Sequence, residues 1–109
     1  MITDIQDTAN SRSVRAMGPA SSGSVGNARG LAKMYAAIIS DVNGRGPLLR
    51  AGTLAAFTKL HSRGIDLVTG ERDHCLLGFE AQHIRYPFLG ADAFGHSDAV
   101  GAQAFADPA

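Results

Sequence analysis

His96 and Ser97 stand side by side near the end of the chain. They lie in the run Phe94-Gly95-His96-Ser97-Asp98-Ala99-Val100-Gly101-Ala102-Gln103-Ala104-Phe105-Ala106-Asp107-Pro108. The run reads as two short extended segments around a bend of small residues, with the histidine at the bend. An imidazole can take or release a proton near neutral pH, and a hydroxyl follows it directly. On residue type alone, a histidine at a strand end is most often structural or solvated.

Other residues invite a metal reading, namely His74, Cys75, His83 and His96 with Asp98. His74 and Cys75 are adjacent, so in a strand they point to opposite faces. No Cys-x-x-Cys or His-x-x-x-His spacing supports a site, and neither a metal nor another cofactor is expected. Cys75 has no cationic neighbour in sequence except His74 and reads as a buried, inert thiol. Gly23-Ser24-Val25-Gly26 precedes a helix in the manner of a phosphate loop. The Walker lysine and its spacing are missing, and no strand comes before it.

The elements that must position these residues follow from periodicity and punctuation. Residues 1–26 are polar and broken by Gly18-Pro19 and Ser21-Ser22-Gly23-Ser24, which suggests a flexible or irregular arm. Asn27 is a good N-cap, since its side-chain oxygen can accept from an unpaired first-turn N–H. Leu31, Met34, Tyr35, Ile38 and Ile39 then form one apolar stripe, which predicts a helix over residues 28–41. Asn43 or Gly44 can take the left-handed conformation that follows it. A second helix is expected over residues 51–61, with Leu54, Phe57 and Leu60 on one side. Arg50 or Thr53 must cap it, and Ser62-Arg63-Gly64 should end it.

Residues 66–73 read as a loop, with a short extended piece at residues 65–68. Cys75, Leu77, Phe79 and Ala81 alternate at period two, which predicts one strand over residues 74–81. Tyr86-Pro87-Phe88-Leu89-Gly90 is a turn-rich connector. Strands at residues 93–96 and 100–106 complete an α+β layout of two helices followed by about three antiparallel strands. At least one edge of such a sheet stays unpaired unless something covers it.

Composition narrows the function classes. The 109 residues suffice for one domain, with 45% hydrophobic and 18% charged residues. Such a chain buries only about two-thirds of its unfolded surface, so its stability margin is thin. Ten basic and ten acidic residues give zero formal charge. That leaves no long-range field for nucleic acid or an anionic membrane, and neither is expected as a partner. The single cysteine excludes an internal disulfide and fits a reducing compartment. The first seven residues carry two acids and no apolar run, so they are not a secretory signal. No later segment is long and apolar enough to span a bilayer, and a cytoplasmic location is expected.

Several segments in order resemble the serine β-lactamase-like hydrolases, in their class C and esterase branch. Phe94 to Pro108 resembles the third signature motif, in which members often read Phe-Gly-His-x-Gly-x-Gly-Gly before a strand and an Asp-Pro-like turn. Gly26-Asn27-Ala28-Arg29-Gly30-Leu31-Ala32-Lys33-Met34-Tyr35-Ala36-Ala37 is similar to a family helix reading Thr/Asn-Ala-Arg-x-Leu-Ala-x-x-Tyr-Ala-Ala. Pro47 to Leu54 is similar to the next helix, usually Leu-Leu-Ser-Pro-Glu-Thr-Leu. Arg50, Ala51 and Gly52 depart from it and remove the family's serine cap. Leu77-Gly78-Phe79 is similar to a family strand.

The resemblance implies a partial β-lactamase/transpeptidase-like fold over residues 27–109, corresponding to the C-terminal part of a full-length member. Complete members hydrolyse esters or amides through an acyl-serine. The nucleophile lies in Ser-x-x-Lys, and Tyr-x-Asn supplies a second acid/base group. None of the eight serines here has lysine three residues on, and neither Tyr35 nor Tyr86 has asparagine two residues on. The third motif carries over by resemblance alone. His96 matches the family's Lys or His, Ser97 its Thr or Ser, and the N–H of Ala99 the oxyanion donor. Asp98 stands where members have glycine, bringing bulk and negative charge towards a developing oxyanion.

The expectation is therefore a hydrolase fragment, inactive alone. It would act on a small-molecule ester or amide only if completed by the missing segments. Histidine in place of lysine favours an esterase over a β-lactamase. The alternative is a non-catalytic interaction domain that self-associates or docks on a partner chain.

Overall fold

The computed structural model describes residues 4–20, 24–97 and 101–108. It is α+β, with five helices and a five-stranded antiparallel sheet among the described residues. The strands follow chain order: β1 (Ser62–Ile65), β2 (Arg72–Cys75), β3 (Glu80–Ala81), β4 (Phe94–Ser97) and β5 (Gln103–Ala106).

The segment expected to be irregular contains two six-residue helices, α1 (Ile5–Asn10) and α2 (Arg12–Met17). Ser11 makes the break between them. Its hydroxyl donates to the Thr8 carbonyl at 2.8 Å and accepts from the Val14 N–H at 3.4 Å. Gly18 ends α2 in the left-handed conformation, with φ of 61°. Neither helix has an apolar stripe, and no residue of α2 is buried. Local bonds at Asp4, Ser11 and Gly18 mark their ends, which hydrophobic periodicity does not reveal.

Helix α3 (Ala28–Ile39) forms where the stripe predicts it and stops two residues earlier than expected. Asn27 caps it, its Oδ1 accepting from the Gly30 N–H at 2.8 Å. Both Asn43 and Gly44 have positive φ, in a tight turn that pairs Val42 with Arg45. Helix α4 (Ala51–Phe57) is four residues shorter than expected. Arg50 occupies its N-cap position without a side-chain cap bond. The Thr58 N–H and hydroxyl both bond to the Leu54 carbonyl and close the last turn. Ser62-Arg63-Gly64, expected to end this helix, instead opens β1, which pairs Ser62 with Cys75 and Ile65 with Arg72.

The single strand expected over residues 74–81 is two strands. The chain reverses between Cys75 and Glu80, with the Leu76 N–H bonded to the Phe79 carbonyl at 2.7 Å. Gly78, at φ of 78°, supplies a conformation that other residues rarely adopt. The alternation of Cys75, Leu77, Phe79 and Ala81 therefore runs through a turn. Leu76 is buried and Leu77 is exposed. A four-residue helix, α5 (Gln82–Arg85), follows β3 and leads into the connector at residues 86–90.

The core lies between α3, α4, strands β3 to β5 and the turn after β2. Tyr35, Ile38, Phe57, Leu76, Ala81, Phe94 and Ala106 form it, with Leu54, Phe79 and Ala104 packed against it. Phe94 is its centre. Its ring meets Phe57 edge-on at 4.9 Å and Phe79 at 5.2 Å, and Tyr35 closes the cluster at 6.0 Å. The radius of gyration is 15.7 Å, against about 13 Å for a compact chain of this length. Its extents are 47 × 36 × 22 Å. No helix among the described residues is long and apolar enough to cross a membrane.

Candidate functional site

The His96-Ser97 pair ends β4, and the residues before it show why that strand is firmly held. Phe94 is fully buried and anchors the strand to the aromatic cluster. Gly95 faces Phe105 of β5 across the sheet. A Cβ built on Gly95 would lie 2.7 Å from both Cα and Cβ of Phe105, and nearer still to the Ala104 carbonyl oxygen. Glycine at this position lets β4 and β5 approach closely. His96 then pairs with Ala104, and Ser97 with Gln103, as the last rungs of the β4–β5 pair.

His96 projects into solvent, its side chain 66% exposed. Its Nε2 lies 4.0 Å from Glu80 Oε1 on β3. At that exposure water screens the pair, and its worth when His96 is protonated is about 0–1 kcal/mol. Glu80 also acts on Tyr35. Burial, and then the Glu80 carboxylate, push the Tyr35 hydroxyl above its ordinary range.

Ser97 is more tightly engaged. Arg85 Nη1 donates to Ser97 Oγ at 2.9 Å, and the Ser97 hydroxyl donates to Gln103 Oε1 at 3.1 Å. Arg85 and Glu80 also belong to the wall of an open hollow of about 170 Å³ between β2, β3 and α5. His74 and Gln82 contribute to the same wall. Gln82 is fully buried, and its Oε1 has no hydrogen-bond partner.

Ala99, expected as the backbone donor, lies outside the described residues together with Asp98 and Val100. The structure brings His96 and Ser97 to one strand end. Glu80, Arg85 and Gln103 surround them and were not singled out from the sequence. Sequence spacing held no signal for Arg85, which reaches Ser97 across a helix and a connector. Gln103 could have been found as the cross-strand partner of Ser97 from pairing the two extended segments expected on either side of the small residues. Among the described residues, no three His, Cys, Asp or Glu side chains converge as a metal-binding group. Cys75 is half-buried rather than fully enclosed.

No protein-family model matches the chain, and no curated protein matches it. A solved structure does. The chain is similar to EstA from Arthrobacter nitroguajacolicus Rue61a, with 38% sequence identity and a TM-score of 0.85. The match covers 98% of this chain and 30% of EstA. The chain thus spans about a third of the length of that protein. Identity of this level, over nearly every residue here, supports an esterase-like relationship.

Proposed function

We propose that the chain supplies the third-motif segment of an esterase-like serine hydrolase and does not hydrolyse esters on its own. One observation carries this reading: an end-to-end match at 38% identity to about a third of EstA. In this reading the β-lactamase-like branch is the wider family, and the substrate of the completed site is a small-molecule ester or amide. Ester is favoured because His96 stands where other members carry lysine. His96 and Ser97 line the polar side of the site, and the Ala99 N–H helps hold the oxyanion. The nucleophile must come from outside this sequence, since it contains no Ser-x-x-Lys.

Two experiments test the reading. The purified chain should fail to turn over a p-nitrophenyl ester above buffer. EstA with its matched segment exchanged for this chain should hydrolyse the same ester and lose activity on His96→Ala. Turnover by the isolated chain that disappears on His96→Ala would overturn the reading. So would a folded chimera without activity, and a chimera that does not fold would argue against equivalence of the two segments.

A second reading is a non-catalytic module that self-associates or docks on a partner chain. It is favoured by the exposure of Leu67, Val68 and Phe88 and by the expanded radius of gyration. Sedimentation of the pure chain as a concentration-independent monomer would count against self-association.

A further inference from the structure

The open hollow of about 170 Å³ between β2, β3 and α5 carries charges of both signs. Arg72 of β2 and Arg85 of α5 supply two guanidiniums, and Asp73 and Glu80 supply two carboxylates. Among the described residues, neither guanidinium has a carboxylate within 4.0 Å. Arg85 uses one N–H group on Ser97 Oγ, and each guanidinium carries five donors, so most of them are unengaged. Gln82 belongs to the same wall, is fully buried, and has an Oε1 without a hydrogen-bond partner. A buried acceptor left unpaired is costly, and a ligand N–H would relieve it.

This balance of charge restricts what the hollow can hold. A bare anion would meet Asp73 and Glu80, and a bare cation would meet both arginines. Among the described residues, His, Cys, Asp and Glu side chains do not converge to hold a metal ion. A small molecule with one carboxylate and one ammonium group answers both signs. Its carboxylate can accept from guanidinium N–H groups, and its ammonium has three donors for Glu80 and Gln82. A cavity of about 150 Å³ holds benzene, so this hollow suits a ligand of about six to nine heavy atoms. Ala81 and Ile84 add apolar wall for a short side chain. We propose that the hollow binds a free α-amino acid with an aliphatic side chain. The proposal stands apart from the esterase reading, since it uses neither His96 nor a nucleophile.

The test is an NMR titration of the full chain with L-leucine. Two analogues serve as controls: 4-methylpentanoate lacks the ammonium group, and isopentylamine lacks the carboxylate. Leucine should bind with a Kd on the order of 1 mM, as befits so few atoms in an open hollow. Saturable shifts should appear at the Arg72 and Arg85 Nε–H groups and at the Gln82 side-chain amide. Each analogue should bind about tenfold more weakly, through loss of one charge-assisted contact. Glu80→Gln should narrow the gap between leucine and 4-methylpentanoate, and Arg72→Gln the gap between leucine and isopentylamine. A poorly folded variant would lose all three ligands together, and the parent chain's ranking of the three would still decide the matter. Absence of saturable shifts at these groups would overturn the proposal, as would either analogue binding as tightly as leucine.

Discussion

Replacing Gly95 by alanine adds one methyl group where, of the described glycines, a Cβ would meet its neighbours most closely. The new Cβ would sit 2.7 Å from Cα and Cβ of Phe105 and still nearer the Ala104 carbonyl oxygen. Ordinary contact needs about 3.5–4.0 Å. The two strands must therefore part by the better part of an ångström, and neither neighbour is the loose end of a side chain. Overpacking of this kind costs about 1–3 kcal/mol. A domain near 100 residues loses about 4–8 °C in Tm per kcal/mol, so the melting point should fall by at least several degrees. Gly52→Ala is the matched control. It makes the same chemical change in α4, where nothing lies within 4 Å of the added carbon. Alanine should there stabilise by up to about 1 kcal/mol. Thermal melts of the two variants, followed by circular dichroism, should move in opposite directions. A Gly95→Ala protein melting at or above the parent would refute the claim that close strand approach requires glycine.

Removing the Asn27 cap by Asn27→Ala should cost about 1 kcal/mol, visible as a lower Tm and faster exchange of the Gly30 amide. The Asp66 carboxyl is held below its ordinary range by N–H bonds from Thr69 and Val68. Its contribution is therefore present above the unfolded carboxylate pKa and lost as pH falls through the folded one. Asp73 is shifted upward, by desolvation and then by the Asp66 charge, so its sign is opposite: stability is lost as pH rises through its folded pKa. Asp66→Ala should loosen the β1–β2 hairpin at neutral pH and Asp73→Asn should tighten it, as read from amide protection across that pair. Tyr35 has a raised pKa, so the stability it contributes is full below pH 10.0 and declines as pH rises through the folded value. Tyr35→Phe should flatten the alkaline limb of a Tm-against-pH curve.

The parts of the fold legible in the sequence were those with both a periodic stripe and a cap. Helix α3 has Asn27, Tyr35 and Ile38, and its start and buried face follow from them. The strand pair around the turn at Gly78 was hidden because alternation continued unbroken from Cys75 to Ala81, and only the glycine marked the reversal. Helix α4 ended early because Thr58 turned back onto the Leu54 carbonyl, a local bond that competes with continued helix. At the site, His96 and Ser97 stood out by type and position. Glu80, Arg85 and Gln103 did not, because what joins them is sheet register and a long side-chain reach. Those are consequences of tertiary structure that no short window of sequence contains.

The molecule is a slab only 22 Å through its thinnest direction. Even the fully buried Phe94 ring therefore cannot lie far from solvent, and depth alone protects little. Solvent should reach most of the interior through small local openings, well before the chain comes apart as a whole. Isotope labelling of this protein should accordingly resolve many independent breathing motions, each timed by the hydrogen bonds nearest to it.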